Sequence, residues 1–227
     1  MNEITLVIPA KNEPNALPLV LNEIKEMKLP VKILIILGKD DIETFNATKG
    51  YDCEILFQSR KGYGNAIAEG INFVKTKYSC IYYADGSTDP KFLKLMLKKL
   101  TSQKLNLIFG SRYEKNAYSY DDDIITRIGN FGFTLLGNFF MKLDISDLLF
   151  TYILGETICL QKMNLLSDDY CLCVEIPCKA KALNLKYSTF PCIERKRFAD
   201  KKKVKAFSDG LKILIFFFKK YLKTNNR

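Results

Sequence analysis

Histidine is absent from all 227 residues, which removes the commonest general base from any chemistry the chain performs. The seven cysteines, at 53, 80, 159, 171, 173, 178 and 192, include no Cys-X-X-Cys pair, so with no histidine to help them a zinc site is not expected. Their odd number and apolar neighbours point to reduced thiols in a cytoplasm. No apolar run approaches the ~20 residues that cross a bilayer, and no leader pattern opens the chain. The expectation is a cytosolic catalytic portion. Internal repeats are also lacking.

Charge is unevenly placed. Of 35 Lys/Arg and 25 Asp/Glu, residues 195–227 hold 12 and 2, leaving 23 of each in residues 1–194. The whole excess of +10 therefore belongs to the tail. A neutral body with a basic end suggests contact with a polyanionic surface. The tail interleaves its lysines with Phe207, Leu211, Ile213, Leu214, Ile215, Phe216, Phe217 and Phe218, which suits an anionic lipid surface better than nucleic acid. A helix docked on its own core is the plainer alternative. The expected division is a catalytic domain over 1–193 and a basic, membrane-associating segment over 194–227.

The chain's 48% hydrophobic content is ample for one large core. Short apolar runs at 4–8, 32–37, 54–57, 79–83 and 105–109 read as strands. Helical patterns fall between them at 15–27, 41–50, 63–76 and 90–101. This alternation predicts an α/β fold with a mainly parallel sheet and helices on both faces. Beyond residue 113 the pattern changes. Residues 114–123 are polar and end in Asp121, Asp122 and Asp123, which read as a solvated loop or helix N-terminus before a metal cluster. Residues 124–141 are apolar round most of a helix, so they are either deeply buried or against lipid. Further helices are expected over 160–166 and 172–184, a strand over 186–190, a flexible basic stretch over 194–206 and a tail helix over 207–223.

Two strand ends carry chemistry. Cys80-Ile81-Tyr82-Tyr83-Ala84 runs into Asp85-Gly86-Ser87-Thr88-Asp89, and Ile4-Thr5-Leu6-Val7-Ile8 runs into Pro9-Ala10-Lys11-Asn12-Glu13. Polar groups released at the carboxyl ends of buried strands are where open α/β sheets bind ligands. Hard cations such as Mg²⁺ take carboxylate oxygens there and bridge them to phosphates. Asp85 is the first candidate ligand, with Ser87 or Asp89 beside it, although Asp89 before Pro90 also reads as a helix cap.

In order, Val7-Ile8-Pro9-Ala10-Lys11-Asn12-Glu13, Arg60-Lys61-Gly62-Tyr63-Gly64-Asn65-Ala66, Tyr83-Ala84-Asp85-Gly86-Ser87 and Gly110-Ser111-Arg112-Tyr113 resemble a family-2 glycosyltransferase. Within it they are most similar to the dolichyl- or polyprenyl-phosphate sugar (mannose) synthases. The resemblance covers roughly residues 2–200. It implies a GT-A type Rossmann-like fold, a nucleotide diphosphate sugar donor, Mg²⁺ or Mn²⁺, and a site at the cytoplasmic face of a membrane. Donor contacts would fall to Pro9, Lys11, Asn12, Glu13, Ala84 and Asp85. Lys61 and Gly62, ahead of a helix N-terminus, are a natural place for phosphate oxygens.

Two positions depart from the family pattern. Tyr83 stands where the first acid of Asp-X-Asp is usual. The second strand ends Leu37-Gly38 where related enzymes place acids, and Asp40 and Asp41 come later, either of which is a candidate for the nucleoside. On the acceptor side, the resemblance implies that Arg112 and Arg127 hold a lipid phosphate, with Asn130 one helical turn on. Arg195, Arg197 and Lys203 resemble the basic run that closes over the site. As a plainer reading, Arg112 pairs with an acid such as Glu114.

A phosphate acceptor needs no base. A hydroxyl acceptor does, and Glu175, then Asp147, are the candidates. The expected activity is inverting transfer of a hexose to a polyprenyl phosphate, by a peripheral membrane protein that does not bind nucleic acid. The alternatives are transfer to a glycan hydroxyl, or a degenerate, non-catalytic partner protein that binds nucleotide sugar or a membrane-embedded chain.

Overall fold

The structure, a computed structural model, describes residues 3–200 and 206–225, with the side chains of 206 and 220–225 outside that description. Lys203 lies outside the described residues. The first half alternates as its apolar runs require: β1 (Ile4–Pro9), α1 (Ala16–Glu26), β2 (Val31–Leu37), α2 (Ile42–Ala47), β3 (Glu54–Phe57), α3 (Tyr63–Phe73), β4 (Tyr78–Ile81), α4 (Lys91–Ser102) and β5 (Leu107–Ser111). The second half holds β6 (Tyr118–Ser119), α5 (Ile124–Met141), β7 (Ile153–Glu156), α6 (Thr157–Lys162), α7 (Leu172–Ala182), β8 (Tyr187–Pro191), β9 (Ile193–Glu194) and α8 (Ala206–Asn225).

Seven strands form one sheet in the order β3-β2-β1-β4-β7-β5-β8, and β6 pairs with β9 apart from it. The pairs among β3, β2, β1 and β4 are parallel, as is β5 with β8. β7 enters antiparallel to both β4 and β5, a reversal the sequence pattern had not announced.

Strand parity assigns the layers. Leu6 and Ile8 of β1 face a cluster built with Leu17, Val20 and Leu21 of α1 and Phe92, Leu93 and Met96 of α4. Val7 faces the other way, against Ala66 of α3 with Leu34 and Ile36 of β2. That second face continues under α3, α6 and α7. Burial on both faces explains why the strands are apolar throughout instead of alternating.

α8 joins that second face. Ile213 and Phe217 are buried in its cluster with Leu172 and Val174. The tail helix is therefore docked on the body, while Phe207, Leu211, Ile215 and Phe218 remain exposed on its outer side.

α5 packs beside α8 and is apolar on both faces. Phe133, Leu136, Phe140 and Met141 pack on the core around the buried Asn130, Thr134 and Gly137. Ile124, Ile125, Ile128, Phe131, Leu135 and Phe139 are between 59% and 81% exposed. Thr134 earns its interior place by accepting from Leu148 N, and Asn138 spans Ile145 N and O. No described helix is long and apolar enough to cross a membrane.

Candidate active site

A cavity of about 910 Å³ opens at the carboxyl ends of β1, β2 and β4, where a sheet of this kind places its ligand. Its walls come from the loops after those strands, the start of α5, the turn before α7, the segment after β9 and the first turns of α8. Pro9, Lys11, Asn12, Glu13, Asp40, Asp41, Lys61, Gly62, Ala84, Asp85 and Ser87 all line it.

At the β1 and β2 ends the two expected acids divide their work. Asp41 Oδ1 accepts from Thr44 N to cap α2, and its Oδ2 accepts from Asn12 N at 2.6 Å. Asn12 adopts φ of +50°, so this bond pins a left-handed turn. Asp41 thus ties two loops together with both oxygens. Asp40 is exposed and pairs with Lys61 Nζ at 2.8 Å, a contact that holds its carboxyl below the ordinary value. Of the two, Asp40 is the one presented to a ligand.

At the β4 end, Asp85 Oδ1 accepts from both the amide and the hydroxyl of Ser87, at 2.9 and 2.7 Å. Its Oδ2 lies 3.2 Å from Arg197 Nη2. Tyr83, at the usual acidic position, is bound away. Its hydroxyl meets Thr151 Oγ1 at 2.9 Å and accepts from Thr151 N, and Tyr63 hydroxyl meets the same Thr151 Oγ1 at 2.6 Å. Burial pushes the Tyr83 phenol well above its ordinary pKa, so it stays neutral and supplies no charge at the position of the usual carboxylate. Asp89 accepts from Lys91 N at the start of α4 and does not line the cavity. It is a helix cap.

Among the described residues no group of three metal-ligating side chains exists. One carboxylate and one neighbouring hydroxyl fit Mg²⁺ or Mn²⁺ when water and phosphate oxygens complete the shell, which is the usual arrangement for these ions. The donor set therefore suits a cation that arrives with a diphosphate.

The acceptor-side expectations need correction. Arg112 is not a free phosphate fork. Its Nε and Nη2 bind Asp147 bidentately at 2.7 and 3.0 Å, and Nη1 lies 3.2 Å from Glu194 and 3.3 Å from Asp122. Three carboxylates share one guanidinium that is 6% exposed. The partners are not Glu114, which takes Ser146 instead, and Asp147 is consumed here and not poised as a base. Burial pushes the Glu194 carboxyl up, against the opposing pull of Arg112 and the Ser119 hydroxyl.

Arg127 is exposed, its guanidinium 5.6 Å from the Tyr118 ring, and does not line the cavity. Arg195 is held by Glu23 and Thr88 O. Asn130 and Arg197 do line the cavity, and Asn130 donates to Tyr113 hydroxyl and Asp122.

The glycines of Arg60-Lys61-Gly62-Tyr63-Gly64 also serve another purpose. Gly64 N donates to Asp168 O at 2.9 Å, so the N-terminus of α3 is capped by protein. A Cβ on Gly62 would stand 2.1 Å from Asp168 O, and one on Gly64 2.2 Å from Ser167 O. These positions are glycine because the 167–169 turn presses onto them, and the helix end is closed to a phosphate.

Glu175 does not line the cavity. It is 2% exposed, accepts from the amides of Leu166 and Ser167, and pairs with Lys179 at 2.7 Å. Burial alone would raise its pKa, but these donors outweigh it and hold the group below the ordinary glutamate value. Glu175→Gln should leave kcat within about threefold and cost about 1–3 kcal/mol of stability, read from initial rates and urea unfolding. A rate loss of ~10²-fold or more in a folded variant would return this residue to the chemistry.

Other lining groups were not singled out from the sequence. Tyr63 and Tyr170 stack at 4.8 Å, and Asp209 and Lys212 come from α8. The Asp121–Asp123 run was legible but divides three ways. Asp123 caps α5 through Thr126 N, Asp122 is buried against Arg112, and Asp121 lines the cavity.

This fold, with its cavity at the carboxyl ends of a mainly parallel sheet and Asp85 on its floor after β4, is that of an α/β ligand-binding domain. The profile of glycosyl transferase family 2 matches residues 5–163, and the chain belongs to that family. It is 27% identical over 198 residues to the uncharacterized protein MJ1222 of Methanocaldococcus jannaschii, covering 84% of this chain and 80% of that one.

Glucosyl-3-phosphoglycerate synthase from Mycobacterium tuberculosis shares the GT-A-like fold. Its complex with Mn²⁺, UDP and glucosyl-3-phosphoglycerate superposes with a TM-score of 0.74 at 13% identity, over 96% of this chain and 79% of that one. Its complex with Mn²⁺ and UDP-glucose gives 0.73 at 14%, over 97% and 79%.

Proposed function

We propose that the chain transfers a hexose from a nucleoside diphosphate sugar to a polyprenyl phosphate, as a peripheral protein at the cytoplasmic face of a membrane. The observation that carries the acceptor is the outer face of α5. Six large apolar side chains stand in solvent there, while Phe133, Leu136, Phe140 and Met141 pack inward beside Asn130, Thr134 and Gly137. Those side chains recur at 124, 128, 131, 135 and 139, one stripe along the helix, and the start of the same helix lines the cavity through Thr126 and Asn130. The exposed Phe207, Leu211, Ile215 and Phe218 of α8 supply a second stripe beside the same cavity. Patches of this kind mark membrane or partner contact, and an acceptor with a long apolar tail fits them.

The donor reading is supported by the family and by Mn²⁺, UDP and UDP-glucose in the similar synthase. A cavity of about 910 Å³ suits a ligand of that size. Asp85, with Ser87, would hold Mg²⁺ or Mn²⁺ against the diphosphate, where the ion supplies Lewis-acid neutralisation of the leaving group. Asp40 and Lys61 stand at the nucleoside end. Arg197 and Lys212 are the cations that the C-terminal part of the chain brings to the cavity, and a phosphate monoester, already anionic, would attack C1 and displace the nucleoside diphosphate with inversion.

A second reading, transfer to a glycan hydroxyl, is favoured by Glu194. It is a cavity carboxylate, bonded to Arg112 and Ser119, that would have to release them to act as the base a hydroxyl needs. Labelled UDP-hexoses with Mn²⁺ or Mg²⁺ separate the readings. Label extracted with polyprenyl phosphate supports the first, label on an oligosaccharide only supports the second, and binding of donor with turnover on neither supports a non-catalytic partner protein.

The stripe gives its own test. Ile128→Asp with Phe131→Asp should reduce transfer to polyprenyl phosphate embedded in anionic vesicles by about tenfold or more. Transfer to a short, water-soluble prenyl phosphate should be retained. Equal losses on both acceptors would remove the membrane role of α5.

A further inference from the structure

The segment after β9 lies across the carboxylate that the donor needs. Arg195 N donates to Ser87 O and Phe198 N to Asp85 O, both at 2.8 Å, so backbone rungs lay this segment along the Asp85-Gly86-Ser87 turn. Gly86 has φ of +82°, and a Cβ there would stand 2.4 Å from the Phe198 ring, which rests directly on the glycine. Both sides are anchored elsewhere. Arg195 grips Glu23 with two nitrogens at 2.6 and 2.8 Å, and Asp200 accepts from Asn15 N and Ala16 N at the start of α1.

Between these anchors Arg197 reaches into the cavity. Nη2 lies 3.2 Å from Asp85 Oδ2, and Nε lies 3.7 Å from Asp121 Oδ1. Asp85 Oδ1 is already taken by Ser87, so Arg197 stands on the oxygen a cation would bind. A divalent ion and a guanidinium cannot share it. Like charges that close repel one another even at a protein surface, and a divalent ion carries twice the charge.

We propose that Arg197 gates the donor site: it is a counter-cation of Asp85 on the oxygen a metal would take, and the metal–nucleotide must displace it to bind. This rests on the donor reading above and goes beyond it, because it makes the strap a determinant of how much metal the site requires. The Phe198–Gly86 contact and the two backbone rungs hold the gate closed, and the Glu23 and α1 anchors let it swing without detaching.

The test is calorimetric titration of UDP into the full chain over a series of Mn²⁺ concentrations. The readout is the Mn²⁺ level at which UDP binding is half-maximal. Arg197→Gln removes the competing cation and should lower that midpoint roughly three- to tenfold, the range of a partly exposed ion pair. Arg197→Lys, which keeps the charge, should stay near the wild type. Phe198→Ala loosens the strap without touching a charge and should move the midpoint the same way by less, which preserves the test if Arg197→Gln folds poorly. An unchanged or higher midpoint in Arg197→Gln and Phe198→Ala, with UDP still bound, overturns the gate and leaves the donor reading standing. UDP bound by none of the proteins at any Mn²⁺ level overturns the donor reading and the gate with it.

Discussion

Asp85→Asn should lower turnover by about 10³-fold or more while the chain stays folded. The expectation follows from how the acids around the donor site are already engaged. Tyr83 has replaced one family acid with a phenol locked to Thr151, and Asp41 spends both oxygens on backbone amides. Asp85 is thus the floor carboxylate after β4 that can meet a metal and a diphosphate together. A Lewis acid at the leaving group is worth several kcal/mol of barrier, and each 1.4 kcal/mol is tenfold. An amide keeps the shape and still accepts from Ser87 N, so the turn and its φ-positive Gly86 should survive. Initial rates with a thermal melt check both halves. Turnover near that of the wild type in a folded Asn variant sinks the assignment, and the metal requirement would then have to be sought elsewhere.

The sequence made the donor half of this site legible because local chemistry creates it. An apolar run ending in Asp-Gly-Ser needs no distant partner to be recognised, and β1 and β4 deliver their loops where the pattern places them. What stayed hidden depends on residues far apart. Gly62 and Gly64 look like a phosphate cradle until residues 167–169 are seen pressing on them. Arg112 looks like a free fork until Asp147 and Glu194, 35 and 82 residues on, take its nitrogens.

β7 escaped for another reason. Four residues buried largely on both faces carry no period, and nothing local says that they run against their neighbours. For α5, apolarity on most sides left two orientations open. Polar bonds from Thr134 and Asn138 to the 145–148 stretch decide which side faces in, and they leave Ile128, Phe131, Leu135 and Phe139 on the outer side.

Arg112→Met should be the most destabilising substitution in the acceptor half, at about 3–5 kcal/mol. For a chain of this size that lowers Tm by roughly 10 °C. The guanidinium is 6% exposed and stands over the Phe150 ring at 4.9 Å, so methionine can replace its packing. It cannot replace its charge. Asp122, Asp147 and Glu194, with side chains 3%, 0% and 7% exposed, would be left facing one another without a cation. Glu194→Gln should cost far less, because Asp147 and Asp122 still neutralise the arginine and burial already favours the protonated form of this glutamate.

The pH dependence has a definite sign. Arg112 lowers the pKa of Glu194 against the larger effect of burial, so its loss raises that pKa further in the native state. A raised acid stabilises the fold below its unfolded pKa, and that contribution is lost as pH rises through the native value. The gap between Arg112→Met and the wild type should therefore be widest above neutrality and narrow as the pH falls toward the ordinary carboxylate range. Urea unfolding at a series of pH values measures it. A gap that is constant with pH would mean that the arginine acts through packing alone, and the three carboxylates would then have to be neutral or solvated in the folded chain.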